Sequence, residues 1–286
     1  MRCQTDTMRI LVTGGSGKLG SAVVTGLTEA GHSVVNLDVA GERGPGFLRI
    51  DLTDYGQVVD AFSGVDDKYS AVDAVVHLAA IPAGGIHADS ATFHNNMNAT
   101  FNVFQAARRA GITTIVYASS ETLLGIPLEI DPPYLPLDED YPSRPESMYA
   151  VTKHLEEELA QKLVRWDPAL SITALRFSNV MDAGDYAAFE GYQDDITLRR
   201  WNAWGYIDSR DGAQAVLKAL ELAAPGFDRF IIAAADTVMR TPSSELAAAG
   251  FPGVELKREV AGTESLLSIE KARRVLGYEP RHSWRD

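Results

Sequence analysis

Short, almost unbroken apolar runs recur along this chain. They are Arg9-Ile10-Leu11-Val12, Ser33-Val34-Val35-Asn36-Leu37-Asp38, Phe47-Leu48-Arg49-Ile50, Ala74-Val75-Val76-His77-Leu78, Thr114-Ile115-Val116-Tyr117-Ala118 and Ser171-Ile172-Thr173-Ala174-Leu175-Arg176. Their length and β-branched content predict strands. They alternate little between apolar and polar, which is the pattern of parallel strands covered on both faces. Between them, helix-like stretches fall near 21–30, 56–63, 91–110 and 147–165. Strand and helix in alternation predict an α/β fold with a doubly wound parallel sheet, whose ligands sit at the carboxyl ends of the strands. No internal repeat or low-complexity tract interrupts the pattern.

Those carboxyl ends hold the candidate chemistry. The first strand runs into Thr13-Gly14-Gly15-Ser16-Gly17-Lys18-Leu19-Gly20 and then a helix. Gly14 permits the tight turn, Gly17 lets a pyrophosphate approach the backbone, and Gly20 lets the helix pack close to the sheet. The helix N-terminus offers free N–H groups and its positive dipole end to the phosphates. The second strand ends in Asp38, 18 residues after Gly20. A carboxylate there accepts hydrogen bonds from the adenine ribose and repels a 2′-phosphate of about −1.5 to −2 charge. Asp38 therefore favours NAD over NADP, while Lys18 and Arg43 are nearby cations that soften the preference.

Ser119-Ser120 closes the fifth run, and Tyr149-x-x-x-Lys153 begins twenty-nine positions after Ser120. Tyr149 and Lys153, four apart on a helix, share a face. The ammonium is expected to pull the phenol towards neutrality, because a positive neighbour favours the phenolate. Held beside the Ser120 hydroxyl, the phenolate is a general base for the proton of an alcohol. His77 is expected to pack inside the sheet, Ser119 to be structural, and Trp201 and Trp204 to serve either core or pocket.

Composition narrows the partners. The 286 residues carry 26 basic and 39 acidic side chains, a net charge of −13. Such a balance disfavours nucleic acid and anionic membranes. A single cysteine, Cys3, excludes internal disulfides and fits a reducing cytoplasm. No apolar run reaches membrane-spanning length. Residues 1–7 read as a disordered leader, with Met8 as an alternative start. No metal site is expected.

Together, these motifs resemble the extended short-chain dehydrogenase/reductases of the NAD-dependent epimerase/dehydratase family. The matching residues are the glycine turn, Asp38, Asp51-Leu52, His77-Leu78-Ala79-Ala80, Asn98, Ser119-Ser120, Tyr149-x-x-x-Lys153 and Arg176-x-x-Asn179. The resemblance implies NAD as cofactor, with Gly14, Gly17, Lys18, Leu19 and Gly20 in the phosphate turn. It implies that Asp51 and Leu52 flank the adenine and that Leu78, Ala79 and Ala80 line the groove. Asn98 supports the lysine, Lys153 also holds the nicotinamide ribose, and Ser120 binds the reacting oxygen. Phe177 and Asn179 bound the nicotinamide and substrate, and Glu121 stands at the substrate edge. A Rossmann-type domain is expected over 8–179 plus 206–235, and a small substrate-capping region over 180–205 plus 236–286. A homodimer through the helices near 91–110 and 147–165 is also implied.

Two departures bear on the substrate. Glu121-Thr122-Leu123-Leu124-Gly125 lacks the tyrosine usual before that glycine. Only 26 residues, Val180 to Gly205, separate Asn179 from Tyr206; they are rich in acids, with Arg199 and Arg200 as the only basic side chains. Two phosphates need several cationic or N–H donors at fixed positions, so a small-molecule substrate is favoured over a nucleotide sugar. The layout is similar to that of the uronate dehydrogenases, with Arg200 as candidate partner of an acidic substrate. Three readings compete: a dehydrogenase on a small sugar-like substrate, an epimerase/dehydratase with retained NAD, and a non-catalytic NAD-binding regulator.

Overall fold

The computed structural model describes residues 7–64 and 71–286. In chain order the elements are β1 Arg9–Thr13, α1 Lys18–Glu29, β2 Ser33–Asp38, β3 Phe47–Arg49, α2 Tyr55–Ser63, β4 Ala74–His77, α3 Asp89–Arg109, β5 Thr114–Ser120, β6 Tyr134–Leu135, α4 Met148–Trp166 and β7 Ser171–Phe177. Then come β8 Val180–Met181, α5 Thr197–Arg200, β9 Ile207–Asp208, α6 Ser209–Leu222, β10 Gly226–Ile232, α7 Ser243–Gly250, β11 Glu255–Leu256 and α8 Glu270–Leu276. Most of the expected disordered leader, residues 1–6, lies outside the described residues.

Seven parallel strands form the main sheet in the order β10-β7-β5-β4-β1-β2-β3. The chain works outward from β1 to β3, then returns to place β4 on the other side of β1. That reversal between β1 and β4 opens a crevice at their carboxyl ends. This is the Rossmann-type α/β sheet expected from the sequence.

The period of two along each strand builds two cores. Ile10, Val12, Val76, Val116 and Leu175 face one side, while Leu11, Val75, Ile115, Tyr117 and Ile172 face the other. The first core continues into the C-terminal part of the chain through Phe189, Trp204, Tyr206, Phe251 and Tyr278. Helix starts follow local capping: Asp54 accepts from the N–H groups of Gly56 and Gln57 at α2, and Ser147 from that of Ala150 at α4. Among the described residues no helix is long and apolar enough to cross a membrane.

Candidate active site and dinucleotide groove

At the crevice between β1 and β4 lies a groove of about 530 Å³. Gly14, Gly17, Lys18, Leu19, Gly20, Asp38, Asp51, Leu52, Leu78, Ala79 and Ala80 all line it. The glycines are there because side chains do not fit. Gly14 has a positive φ of 71°, and a Cβ on it would lie 2.6 Å from the Ala79 nitrogen. A Cβ on Gly20 would lie 2.1 Å from the Gly14 carbonyl oxygen. Gly17 caps α1 without a side-chain bond, so the N–H groups of the first turn remain available to an anion. Asp38 is held by the N–H groups of Ser16 at 3.0 Å and Ala40 at 3.1 Å, which leaves lone pairs on both oxygens for ribose hydroxyls. These residues fit the adenosine and pyrophosphate of NAD. Lys18 does not pair with Asp38; its Nζ meets Asp185 at 2.5 Å, from the segment after β8.

At the end of β5, Ser120 Oγ accepts from the backbone N–H of Thr122 at 3.1 Å and from the Thr122 hydroxyl at 3.0 Å. Tyr149, in the first turn of α4, is buried, and the Ser120 hydroxyl acts on its phenol in the direction that favours the phenolate. One turn on, the Lys153 Nζ lies 5.9 Å from the Tyr149 ring centre and donates to the Ala118 carbonyl at 2.8 Å and to Glu156 Oε2 at 2.9 Å. β5 and α4 thus bring together the hydroxyl, the phenol and the ammonium singled out in the sequence.

The electrostatics differ from the expectation of a phenol drawn towards neutrality. Burial raises the Tyr149 phenol, Lys153 and Ser120 oppose it, and the net direction is upward. The first physical reason is burial, and the ammonium that opposes it is not alone. Glu156, fully buried, neutralises it from the same helix. His77 is packed as expected, between the Thr13 and Thr100 hydroxyls at 2.7 and 3.0 Å. Burial, with the Lys153 charge second, lowers its imidazole to about 3.

The family model described as NAD dependent epimerase/dehydratase family matches residues 10–233. This chain belongs to that family. Among curated relatives, UDP-glucose 4-epimerase of Drosophila melanogaster is 30% identical over 197 residues, covering 61% of this chain and 53% of the relative. The Bacillus subtilis UDP-glucose 4-epimerase is 30% identical over 187 residues, covering 62% and 54%. The chain therefore matches about half the length of these curated relatives. Among solved structures, a short-chain dehydrogenase/reductase superfamily protein from Agrobacterium tumefaciens with bound NAD is similar at a TM-score of 0.72 and 25% identity, covering 97% of this chain and 94% of that one. A mutated uronate dehydrogenase shares the fold at a TM-score of 0.66 and 21% identity, covering 97% and 83%.

The remaining residues singled out in the sequence fall partly inside the protein and partly away from the groove. Asn98 is exposed. Thr92, Asn96, Ala99, Thr100 and Val103 form the buried face of α3, and Asn98 falls on the opposite side of the 3.6-residue turn. Asn96 instead holds the Ile81 backbone through both its amide atoms, and Lys153 takes its support from Ala118 and Glu156. Glu121 does not open onto a substrate edge. Its carboxylate is buried against the Ser178 hydroxyl at 2.5 Å and the Asn202 amide at 3.3 Å, and burial raises it to about 7 despite both donors. Arg200 is committed to the protein through the Gly250 carbonyl at 2.6 Å, the Leu128 carbonyl at 2.7 Å and Asp131. Phe177 packs in the core and does not line the groove. Asn179 is half-buried, its carbonyl accepting from the Ile207 N–H at 3.0 Å. Trp204 is core, and Trp201 is 37% exposed.

Sequence reasoning missed Glu156 and left Glu157 unread. Glu157 forms a forked pair with Arg176 at 2.9 and 2.7 Å and also accepts from Ser119 Oγ at 2.7 Å. The available signal was spacing: the two carboxylates stand three and four residues after Lys153, one helical turn away.

Proposed function

We propose that this protein is an NAD-dependent oxidoreductase that moves a hydride between NAD and a hydroxyl-bearing or carbonyl carbon of a small, sugar-like substrate. The observation that carries the reading is the buried Tyr149 phenol with the Ser120 hydroxyl acting on it and Lys153 one turn away. In the oxidative direction Ser120 holds the substrate oxygen, Lys153 stabilises the Tyr149 phenolate, and that phenolate takes the proton of the substrate hydroxyl and becomes the phenol. NAD, when bound, supplies the hydride acceptor. Gly14, Gly17, Lys18, Leu19, Gly20 and Asp38 hold the cofactor, with Asp38 favouring NAD over NADP.

Substrate size is argued from 180–205, which we take with 236–286 as the substrate region. Its two arginines are engaged by the protein: Arg199 donates to the Gly205 carbonyl at 2.9 Å, and Arg200 is fixed as above. That leaves no free pair of cations within 180–205 for a nucleoside diphosphate. Half-exposed Phe101 on α3, with Leu155 and Leu159 only partly buried on α4, supports a C2 homodimer through these helices. The cysteine usage and acidic balance support a cytoplasmic protein acting on a small molecule.

The second reading, a sugar epimerase or dehydratase with retained NAD, is favoured by the names of the curated relatives. Absorbance of released NADH separates the two. Free sugars, sugar acids and small ketones are screened with NAD or NADH. Net cofactor turnover on one of them is expected. Interconversion of a nucleotide sugar without net turnover would favour the second reading.

A further inference from the structure

The contacts of Tyr149 and Lys153 leave one buried group without a role. Glu156 lies on α4 one turn after Lys153, with its side chain wholly buried and its Oε2 2.9 Å from Nζ. Its other oxygen, Oε1, is buried and has no hydrogen-bond partner. From α3, Thr100 faces it; from β4, neutral His77 bonds to that same Thr100 hydroxyl. From β5 come the Tyr117 phenol and the Ala118 carbonyl. On α4 itself, Glu157 is saturated by Arg176 and Ser119. The one cation bonded to Glu156 among these groups is Lys153.

A buried carboxylate is tolerated only when paired. Here the pairing also acts on the partner. The Lys153 charge has a counter-charge at 2.9 Å, while the Tyr149 ring centre lies at 5.9 Å. Coulomb attraction falls with distance, so the phenol feels a short dipole more than a lone cation. We propose that Glu156 is a positioning residue that holds Lys153 against the Ala118 carbonyl and takes up its charge, so that Lys153 bears on Tyr149 as one half of a buried ion pair. The upward directions of Tyr149 and Lys153 agree with this geometry. Burial raises the phenol against Lys153, and Glu156 adds to the rise; burial lowers the ammonium, and Glu156, with Tyr149 and Glu157, more than reverses it. The sign follows. Removing the Glu156 charge leaves a lone ammonium near the phenol, which favours phenolate and lowers the pH at which Tyr149 ionises.

The inference rests on Tyr149 as the acid/base group, but its test reads the phenol directly. The phenolate absorbance of the full chain without cofactor is titrated, and the titration of Tyr149→Phe is subtracted to isolate this one tyrosine. In Glu156→Gln the isolated midpoint is expected about one pH unit lower, a roughly tenfold gain in phenolate at a fixed pH below it. A midpoint within about 0.3 unit of the wild type overturns the proposal. The same substitution made beside Lys153→Met should lower the Tyr149 midpoint by clearly less than it does beside Lys153, because only the direct charge of Glu156 on the phenol is then removed. An equal fall there would mean that Glu156 acts on the phenol without Lys153, and would overturn the positioning role. Should Glu156→Gln fail to fold, Glu156→Asp draws the carboxylate back from Nζ and is expected to shift the midpoint the same way by less; no shift sinks the idea. With a substrate in hand, the acid limb of the kcat/KM profile should move down with the titration. Failure to find NADH release would count against the proposed reaction and leave the titration standing.

Discussion

Arg176 and Glu157 show how much a single residue can decide here. Both side chains are almost fully buried, and the guanidinium meets the carboxylate through two bonds. Glu157→Ala leaves the Arg176 charge unpaired inside the protein, a change that costs about 3–5 kcal/mol. A marked fall in Tm is the expected result, with Glu157→Gln intermediate because an amide can still accept from the guanidinium. Glu121 gives a pH signature of its own. Its carboxyl rises from 4.5 to about 7 on folding, chiefly by burial. A raised carboxyl favours folding in its neutral form, so its contribution is full below about pH 4.5 and lost as pH rises through 7. Thermal melts from pH 5 to 8 should fall more steeply for the wild type than for Glu121→Gln; parallel curves would show that Glu121 does not titrate as its surroundings imply.

At the scale of elements, the turn from β1 into α1 is the least tolerant piece of the groove. A methyl at Gly20 would overlap the Gly14 carbonyl oxygen at 2.1 Å, with backbone on both sides of the contact. Gly20→Ala should therefore weaken NAD binding strongly, read by calorimetry, and lower Tm. Unchanged affinity would contradict the tight-turn account. This turn was legible in the sequence, as were strands β1 to β5 and β7, because parallel strands between helices write themselves as apolar runs. Helix ends shifted by only a few residues: α3 runs Asp89–Arg109 against an expected 91–110. What was not legible depended on side-chain direction. Asn98 closes Asn95-Asn96-Met97-Asn98, three asparagines in four residues, and only helical phase shows that Asn96, and not Asn98, turns inward. Arg200 looked free because its backbone partners, Leu128 and Gly250, are 72 and 50 residues distant. Glu156 drew no reading in the sequence, because only the packed helix buries it beside Lys153.

For the whole molecule, one sheet carries both the groove and the Ser120–Tyr149–Lys153 cluster, and one of its two cores runs on into 236–286. A homodimer through α3 and α4 predicts twice the 31.0 kDa chain mass by light scattering at micromolar concentration. Phe101→Glu should convert it to monomer, whereas a monomeric wild type would refute the interface. The proposed function stands on Tyr149 as the acid/base group of an NAD-dependent hydride transfer. Its most direct test is kcat/KM of Tyr149→Phe on the substrate that yields NADH with the wild type, measured beside NAD affinity. Removing one hydroxyl from a folded protein should leave NAD binding unchanged and lower kcat/KM by about 10²-fold or more. Turnover near the wild-type value would contradict the account.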